Sequence, residues 1–318
     1  MKKPVYIHRY TLMSPGALNA SSTRHRHEGA LIKVGNGYGC MHPWPELGDV
    51  PLEGLFQILK EGGSTPTIRA ALNCAREDGK ARAEGRSLFD GLHVPLSHAT
   101  LMMDEEDFEQ AVASGFTTVK VKMGRDLEKE REFALAQAEK FPALQWRIDF
   151  NNLLGRGGIE QVLKSFPEEF REKIDFIEDP CVYDSSCWKN LRTRYGIPLA
   201  VDRDVELATS HYSVAILKPA VHVVNPVLER CHLDGSRVVF TSYMDHPLGQ
   251  AYAAWRAAGA AKEYPGMIDT CGLMTHGLFE SDEFTKRMGD VAPVFTPPSG
   301  NGLGFDDLLE ALPWERLI

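Results

Sequence analysis

The sequence lacks the features that mark a secreted, membrane-spanning or nucleic-acid-binding chain. Its six cysteines are scattered without a Cys-x-x-Cys pair, so neither a zinc ribbon nor a disulfide framework is indicated. No apolar run is long enough for a secretory signal or a bilayer span. The net charge of -9 disfavours nucleic acid as the main partner. We therefore expect a cytoplasmic globular protein with mostly buried, reduced thiols and neither a nucleic-acid nor a membrane partner.

The first 92 residues predict a small α+β unit. Apolar and polar positions mix around turn signals in segments 5–12 and 29–39, which is typical of an antiparallel meander. From Leu52 to about Gly85 the pattern becomes helical, with a helix start signal at Ser64-Thr65-Pro66. A length of 318 residues suits either one barrel of about 250 residues with an appendage or two smaller domains.

After Pro95 the rhythm changes to strand-like runs separated by helical segments, as in βα units of a parallel sheet. The predicted strands are His93–Ala99, Thr117–Met123, Leu144–Asn151, Ile174–Pro180, Pro198–Asp204, Val214–Ala220, Arg237–Met244 and Met267–Leu273. The predicted helices include Asp104–Ser114, Asp126–Lys140, Gly158–Phe170, Pro226–His232 and His246–Ala261. Eight strands at this spacing favour a compact α/β barrel over a doubly wound open sheet.

The second predicted strand carries two lysines on one face. Side chains alternate along a strand, so Lys120 and Lys122 project in the same direction. An isolated ammonium group rarely faces a protein core. Either this face meets solvent, or it lines a cavity in which carboxylates compensate the charge.

Three carboxylates occupy the ends of the next three predicted strands. Starting from Lys122, the residues Asp149, Glu178, Asp202 and Lys218 follow at intervals of 27, 29, 24 and 16 residues. In a barrel these strand ends meet at one mouth, where chemistry is expected. A single acid there is more often a helix cap or turn residue, but three together suit one divalent cation such as Mg²⁺. The adjacent Asp179 and Asp204 are interpreted as capping or supporting residues.

These positions resemble the muconate-lactonizing-type subgroup of the enolase superfamily. The matching motifs are Lys120-Val121-Lys122, Asp149 with Asn151, Glu178-Asp179-Pro180, Asp202 and Lys218-Pro219. Segment 64–88 is similar to the helical part of the capping domain of that family, and segment 300–304 to its closing tail.

The resemblance implies a (β/α)7β TIM-like barrel over residues 93–291, with an α+β cap over residues 1–92 and a tail from about 292 to 318 that packs back on the cap. It also implies a small-molecule carboxylate substrate and a Mg²⁺ ion held by Asp149, Glu178 and Asp202, with Mn²⁺ as a substitute. The oligomeric state stays open, and a monomer is allowed.

The chemistry implied is proton abstraction next to a carboxylate, which produces an enediolate that the metal stabilises. Lys122 would be the base, and Lys120 would supply the positive charge that lowers its pKa. Lys218, on the opposite face, would lie as a cation against the π-system of the intermediate.

Within the subgroup, three features resemble the o-succinylbenzoate synthase family: the short chain, Arg147 two positions before Asp149, and Thr241-Ser242 on the seventh strand. That family implies a syn dehydration in menaquinone biosynthesis. Dipeptide epimerases usually carry Asp-x-Asp on strand eight, where this chain has Asp269-Thr270-Cys271. An N-succinylamino-acid racemase, a muconate-type cycloisomerase and a non-catalytic carboxylate-binding barrel stay as alternatives.

Substrate contacts are predicted for Arg147, Asn151, Ser242, Gly272 and Met274. For Arg147 the alternative is an ion pair with an acid inside the barrel. His25, His27 and His42 lie near the N-terminal loops and are interpreted as solvated loop residues, with contact to the ligand as the alternative.

Two departures from the family pattern stand out. Gly37-Tyr38-Gly39-Cys40 replaces the usual Gly-Trp-Gly-Glu of the cap, so contacts of that loop cannot be transferred. Arg203 replaces an acidic residue after Asp202, which predicts weaker metal binding if its side chain faces the mouth.

Overall fold

The N-terminal part of the protein is an antiparallel sheet covered by two helices. The computed structural model describes residues 4–18 and 23–318. Its first elements are β1 (Val5–Met13), β2 (Arg26–Val34), β3 (Gly37–Met41), a 3-10 turn (Pro45–Leu47), α1 (Leu52–Lys60) and α2 (Pro66–Ala83). The C-terminal strand β11 (Glu315–Arg316) adds to the free edge of β1, which gives the order β11-β1-β2-β3. The predicted meander and the predicted helix start are therefore confirmed.

Close packing of α2 on β3 explains the Gly37-Tyr38-Gly39 sequence. A Cβ atom at Gly37 would lie 1.8 Å from the carbonyl oxygen of Ala75, and one at Gly39 would lie 2.2 Å from that of Ala71. Only glycine allows this approach. The hydroxyl of Thr65 accepts a hydrogen bond from the N–H of Ile68 (3.2 Å) and so caps the first turn of α2.

The remaining elements form the predicted βα succession. They are β4 (Ala99–Leu101), α3 (Glu105–Ala113), β5 (Thr118–Lys122), α4 (Leu127–Lys140), β6 (Gln145–Asp149), α5 (Arg156–Ser165), α6 (Glu168–Arg171), β7 (Ile174–Glu178), α7 (Ser185–Tyr195), β8 (Leu199–Val201), β9 (Val214–Leu217), α8 (Val224–Asp234), β10 (Arg237–Phe240), α9 (Pro247–Glu263), a 3-10 turn (His276–Leu278), α10 (Glu283–Met288) and α11 (Asp306–Ala311). Strands β4 to β10 are parallel and lie in sequence order.

The segment predicted as the eighth strand closes the barrel through short contacts with both edges of this sheet. On one side the N–H of Gly272 donates to the carbonyl of Phe240 (2.7 Å). On the other side the N–H of Cys271 donates to Leu96 (2.6 Å), and the N–H of His98 donates back to Cys271 (2.7 Å). The pairing is limited to isolated parallel bridges, so residues 267–273 complete the ring without forming a long strand.

Several predicted strands are shorter in the structure, and two of the predicted elements differ next to a proline. The first barrel strand was predicted over His93–Ala99 but spans Ala99–Leu101, because Pro95 has no N–H to donate to a ladder. The predicted helix Gly158–Phe170 is two helices, α5 and α6, that are separated at Pro167. All six cysteines are free and five are buried, as expected. Within the described ranges, every helix is too short or too polar to cross a bilayer.

Asp78 of α2 connects three separate segments. Its buried carboxylate accepts hydrogen bonds from the N–H of Tyr38 (2.9 Å) on β3 and the N–H of Leu303 (2.7 Å) in the C-terminal tail. It also pairs with Arg82 (2.6 Å), which itself pairs with Asp306. The cap sheet, its main helix and the tail are thus joined through one carboxylate.

We expect Asp78→Ala to lower the free energy of unfolding by about 3–5 kcal/mol, because it removes one of the two acids that pair with the largely buried Arg82 and leaves two buried N–H groups without their acceptor. Urea denaturation measures this difference. The neighbouring Glu77→Ala is the matched control and should cost about 1 kcal/mol or less, since its ion pairs are at the surface. Equal losses for the two variants would contradict the role of Asp78.

Candidate active site

The two lysines of β5 point into the barrel. Val119 and Val121 alternate with them and are fully buried on the other face. In the ladder with β6, Lys120 lies opposite Arg147 and Lys122 lies opposite Asp149. The face of β5 that carries Lys120 and Lys122 therefore lines a cavity with charged walls, which is the second of the two possibilities that the sequence left open.

Lys120 lies between two carboxylates. Its Nζ atom donates to both oxygens of Glu178 (2.6 and 2.7 Å) and lies 3.1 Å from Oδ2 of Asp149. Burial alone would lower the pKa of Lys120, but the Asp149 and Glu178 carboxylates raise it well above its usual value. Lys120 is therefore held as an ammonium ion.

Lys218 follows β9 directly and pairs with Asp202. Burial would raise the pKa of Asp202, but the Lys218 ammonium lowers it below its usual value. The second oxygen of Asp202, Oδ1, is buried and has no hydrogen-bond partner among the described residues.

Lys122 differs from the other two lysines because no carboxylate of the described residues accepts from it. Its Nζ donates to the backbone carbonyl of Leu18 (2.8 Å), which lies between β1 and β2 of the cap. Burial lowers the pKa of Lys122 to about 8, and the nearby ammonium groups of Lys120 and Lys218 also lower it, against an opposing effect of Asp149. Lys122 is therefore mostly an ammonium ion at pH 7, with an uncharged fraction that grows as the pH approaches 8.

These groups surround a cavity of about 350 Å³ at the carboxyl ends of the strands. Lys122 on β5 and Lys218 after β9 are four strands apart in a ring of eight, so they face each other across it. The cavity wall consists of Leu47, Asp49, Pro66, His98, Thr100, Lys120, Lys122, Asp149, Asn151, Asp202, Arg203, Lys218, Val221, His222, Thr241, Ser242, Tyr243, Met244, Gly272 and Thr275.

Several of these residues were not singled out from the sequence. His98 and Thr100 lie at the first barrel strand, where alternation along the strand places them on one face. His222 lies four residues after Lys218, and its Nδ1 accepts from the N–H of Lys218 (3.1 Å). Asp49 comes from a cap loop, and no motif in the sequence identifies it.

Asp179 supports the site from below, as expected. Its carboxylate accepts from the N–H groups of Asp202 and Arg203, both at 3.1 Å. The backbones of Asn151, Asp179 and Met244 have positive φ angles of 49°, 42° and 49° at the ends of β6, β7 and β10. Such strained conformations cluster at functional sites, because they aim side chains or backbone groups that regular strands would not.

The carboxylates fit a divalent cation by their chemistry. Asp149 lies opposite Glu178 in the β6–β7 ladder, and Asp202 follows the next strand. All three offer oxygen atoms, which Mg²⁺ prefers, and Oδ1 of Asp202 is buried without a partner. In the described part of the chain, no three acidic, histidine or cysteine side chains already have a metal-binding arrangement, and lysines contact the acids instead. A bound cation would therefore replace ammonium contacts.

The residues predicted to contact substrate divide into two groups. Asn151, Ser242 and Gly272 line the cavity, whereas Met274 lines a neighbouring cavity and Arg147 lines neither. A Cβ atom at Gly272 would lie 2.8 Å from the ring of His98, so a larger residue would not fit. The interpretation of His27 and His42 as solvated is wrong, because both are 2% exposed against Trp44.

Arg147 lies one layer deeper in the barrel and pairs with an internal acid. Its guanidinium donates to Asp175 (2.7 Å), to the carbonyl of Thr270 (2.6 Å) and to Nδ1 of His98 (2.8 Å). It also lies 4.6 Å from the ring centre of Phe176. Of the two sequence interpretations of Arg147, the internal ion pair is the one that its contacts show.

Comparison with known proteins gives the class of this protein. Residues 104–306 match the family described as enolase C-terminal domain-like, and residues 5–81 match the N-terminal domain of O-succinylbenzoate synthase. The chain belongs to the enolase superfamily.

The most informative sequence relative is the o-succinylbenzoate synthase of Bdellovibrio bacteriovorus. It is 33% identical over 322 aligned positions, which cover 97% of each chain.

Among solved structures, the fold is similar to a dipeptide epimerase from Enterococcus faecalis, complexed with Mg and a dipeptide. That comparison has a TM-score of 0.80 and 18% identity, and it covers 96% of this chain and 99% of the other. An N-succinyl Arg/Lys racemase from Bacillus cereus has a TM-score of 0.78 and 15% identity, with 99% and 100% coverage. At these identities the structures show the fold alone.

We expect Arg147→Met to lower the free energy of unfolding by about 3–5 kcal/mol, because it breaks a buried ion pair and leaves Asp175 less compensated. Arg237→Met is the control, since Arg237 pairs with the same Asp175 but is 38% exposed and should cost far less. Urea denaturation of the two variants gives the comparison. A fully stable Arg147→Met variant that fails to bind ligand would restore the substrate-binding role.

Proposed function

We propose that this chain is a Mg²⁺-dependent o-succinylbenzoate synthase. The reaction is the syn dehydration of 2-succinyl-6-hydroxy-2,4-cyclohexadiene-1-carboxylate to 2-succinylbenzoate, a cytoplasmic step of menaquinone biosynthesis. The observation that carries the proposal is the pair Lys122 and Lys218, which face one cavity from opposite sides above three buried carboxylates. The 33% identity to a synthase over the whole length supports it.

In this proposal Lys122 moves the proton. Its amine takes the hydrogen from the carbon next to the substrate carboxylate, which leaves an enediolate and an ammonium group. The same ammonium then gives its proton to the departing hydroxyl group on that face, so water leaves and Lys122 returns to the amine. Atoms balance with no further reactant. Mg²⁺ held by Asp149, Glu178 and Asp202 would stabilise the negative charge of the enediolate.

Lys120 and Lys218 have different tasks. In the structure Lys120 is an ammonium ion that contacts Glu178 and Asp149, contacts that a bound cation would replace, and its charge contributes to the lowered pKa of Lys122. Lys218 faces the other side of the substrate ring as a cation, and its Nζ already lies 6.0 Å from the ring centre of Tyr243. A cation near a π-system stabilises the electron-rich ring of the intermediate.

A second candidate is an N-succinylamino-acid racemase. The same two lysines on opposite faces suit removal of a proton from one side and its return on the other, and a racemase is among the structures with this fold. Dipeptide epimerase and muconate-type cycloisomerase activities use the same fold but gain no support from a specific residue here. A third candidate is a non-catalytic barrel that only binds carboxylates, in which Lys120 and Lys218 would keep their ion pairs with the acids.

The test is to mix the purified protein with Mg²⁺ and the cyclohexadiene substrate and to follow the ultraviolet absorbance of the aromatic product. We expect product formation that stops when a chelator removes the metal and resumes when Mg²⁺ is restored. In parallel, N-succinylamino acids in D2O are followed by proton NMR. Exchange of the α-hydrogen without any aromatic product would favour the racemase, and inactivity with no Mg²⁺ binding in a titration would favour the non-catalytic barrel.

A further inference from the structure

We propose that Arg203 binds the distal carboxylate of a dicarboxylate substrate at the rim of the cavity and thereby selects diacids over monoacids. This inference rests on the proposed function, in which the substrate carries a ring carboxylate and a succinyl carboxylate. Arg203, which stands where the family pattern has an acidic residue, would then determine which substrates the site prefers.

The cations that line the cavity differ in whether a protein group already contacts them. Lys120 contacts Glu178 and Asp149, Lys218 contacts Asp202, and Lys122 donates to the carbonyl of Leu18. Arg203 lines the same cavity and is exposed, and its guanidinium makes no hydrogen bond or ion pair within residues 4–18 and 23–318. Its charge is therefore available to a ligand.

The backbone of Arg203 is fixed although its side chain is exposed. Its N–H donates to Oδ2 of Asp179 (3.1 Å), and the N–H of Asp202 donates to Oδ1 of the same carboxylate. The base of the Arg203 side chain is thus held next to Asp202, while the guanidinium lies at the cavity wall. A ligand would have to order only the outer part of the side chain, which limits the entropy cost of binding.

Asp49, the cap acid on the same cavity wall, does not neutralise the charge of Arg203 through an ion pair in the described residues. Asp49 lines the same cavity, but its Oδ2 accepts from the N–H of Trp44 (2.8 Å) and from the hydroxyl of Tyr243 (3.1 Å). Burial raises the pKa of Asp49 above its usual value, and both of these hydrogen bonds are to groups other than Arg203. A carboxylate on the ligand is a better partner for the guanidinium, since it accepts two parallel hydrogen bonds.

The ligand chemistry follows from the two ends of the site. The ring carboxylate belongs at the floor, near the three acids and their cation, with the reacting carbon between Lys122 and Lys218. A second carboxylate on a flexible tail then reaches the rim, where Arg203 offers the unpaired positive charge. A neutral tail would leave this guanidinium without a partner and would gain nothing from it.

The experiment measures dissociation constants by calorimetry in Mg²⁺ buffer for two ligands: 2-succinylbenzoate and its neutral amide at the distal carboxyl group. We expect Arg203→Gln to weaken binding of the diacid by about tenfold and binding of the amide by less than about twofold, because only the diacid loses a charge-assisted contact. Arg203→Lys should retain part of the preference for the diacid. Circular dichroism verifies that the variants are folded.

The control is Arg194→Gln, which removes the same charge from an exposed arginine that pairs with Glu160 away from the cavity. It should leave both dissociation constants unchanged. Wild-type affinity of Arg203→Gln for the diacid, or equal weakening for both ligands, would overturn the assignment.

The turnover assay on the same wild-type protein reports separately on the proposed function. Aromatic product without a diacid preference would keep the synthase and remove the role of Arg203. A diacid preference that depends on Arg203, without turnover, would keep that role and remove the synthase. A wild-type protein that binds neither ligand would overturn the assignment of Arg203 as well.

Discussion

The site depends on how positive and negative charges are paired at the barrel mouth. Three carboxylates and three lysines share a mostly buried space, and isolated charges there would cost several kcal/mol each. Lys120 forms ion pairs with Glu178 and Asp149, and Lys218 forms one with Asp202. This pairing leaves Lys122 with only a backbone carbonyl among the described residues, so burial is not offset by a contacting acid and lowers the pKa of its amine to about 8.

The register of the barrel strands explains why Lys120 and Lys122 have different partners. Lys120 and Lys122 are two residues apart on β5, so one reaches the deeper acid Glu178 and the other stays nearer the cap. The cap contributes the carbonyl of Leu18 to Lys122. Asp78 joins the cap sheet, the cap helix and the C-terminal tail, so the packing of the cap itself depends on a carboxylate that is not part of the cavity wall.

Much of the fold and the centre of the site could be predicted from the sequence, because alternation along strands and regular spacing of acids are local patterns. Lys120, Lys122, Asp149, Asp202 and Lys218 lie together as a barrel requires. Their catalytic and metal-binding roles stay predictions, as does the domain boundary at residue 92.

The positions of the other residues depend on packing between distant segments, and the spacing of residues along the chain does not reveal that packing. Arg147 has the same alternation as Asp149, yet its length and the position of Asp175 direct it into the ion pair beneath the site. His27 and His42 come from loop-like sequence but are buried against Trp44. Asp49 reaches the cavity from the cap without any motif.

In the proposed reaction the amine of Lys122 carries the proton that leaves the carbon next to the substrate carboxylate. The most direct measurement is aromatisation of the cyclohexadiene substrate by Lys122→Ala, with and without small primary amines in the buffer. We expect a folded variant that still binds 2-succinylbenzoate, forms no product alone, and recovers activity in proportion to the unprotonated amine added. Product formation by Lys122→Ala at the wild-type rate without added amine would contradict it.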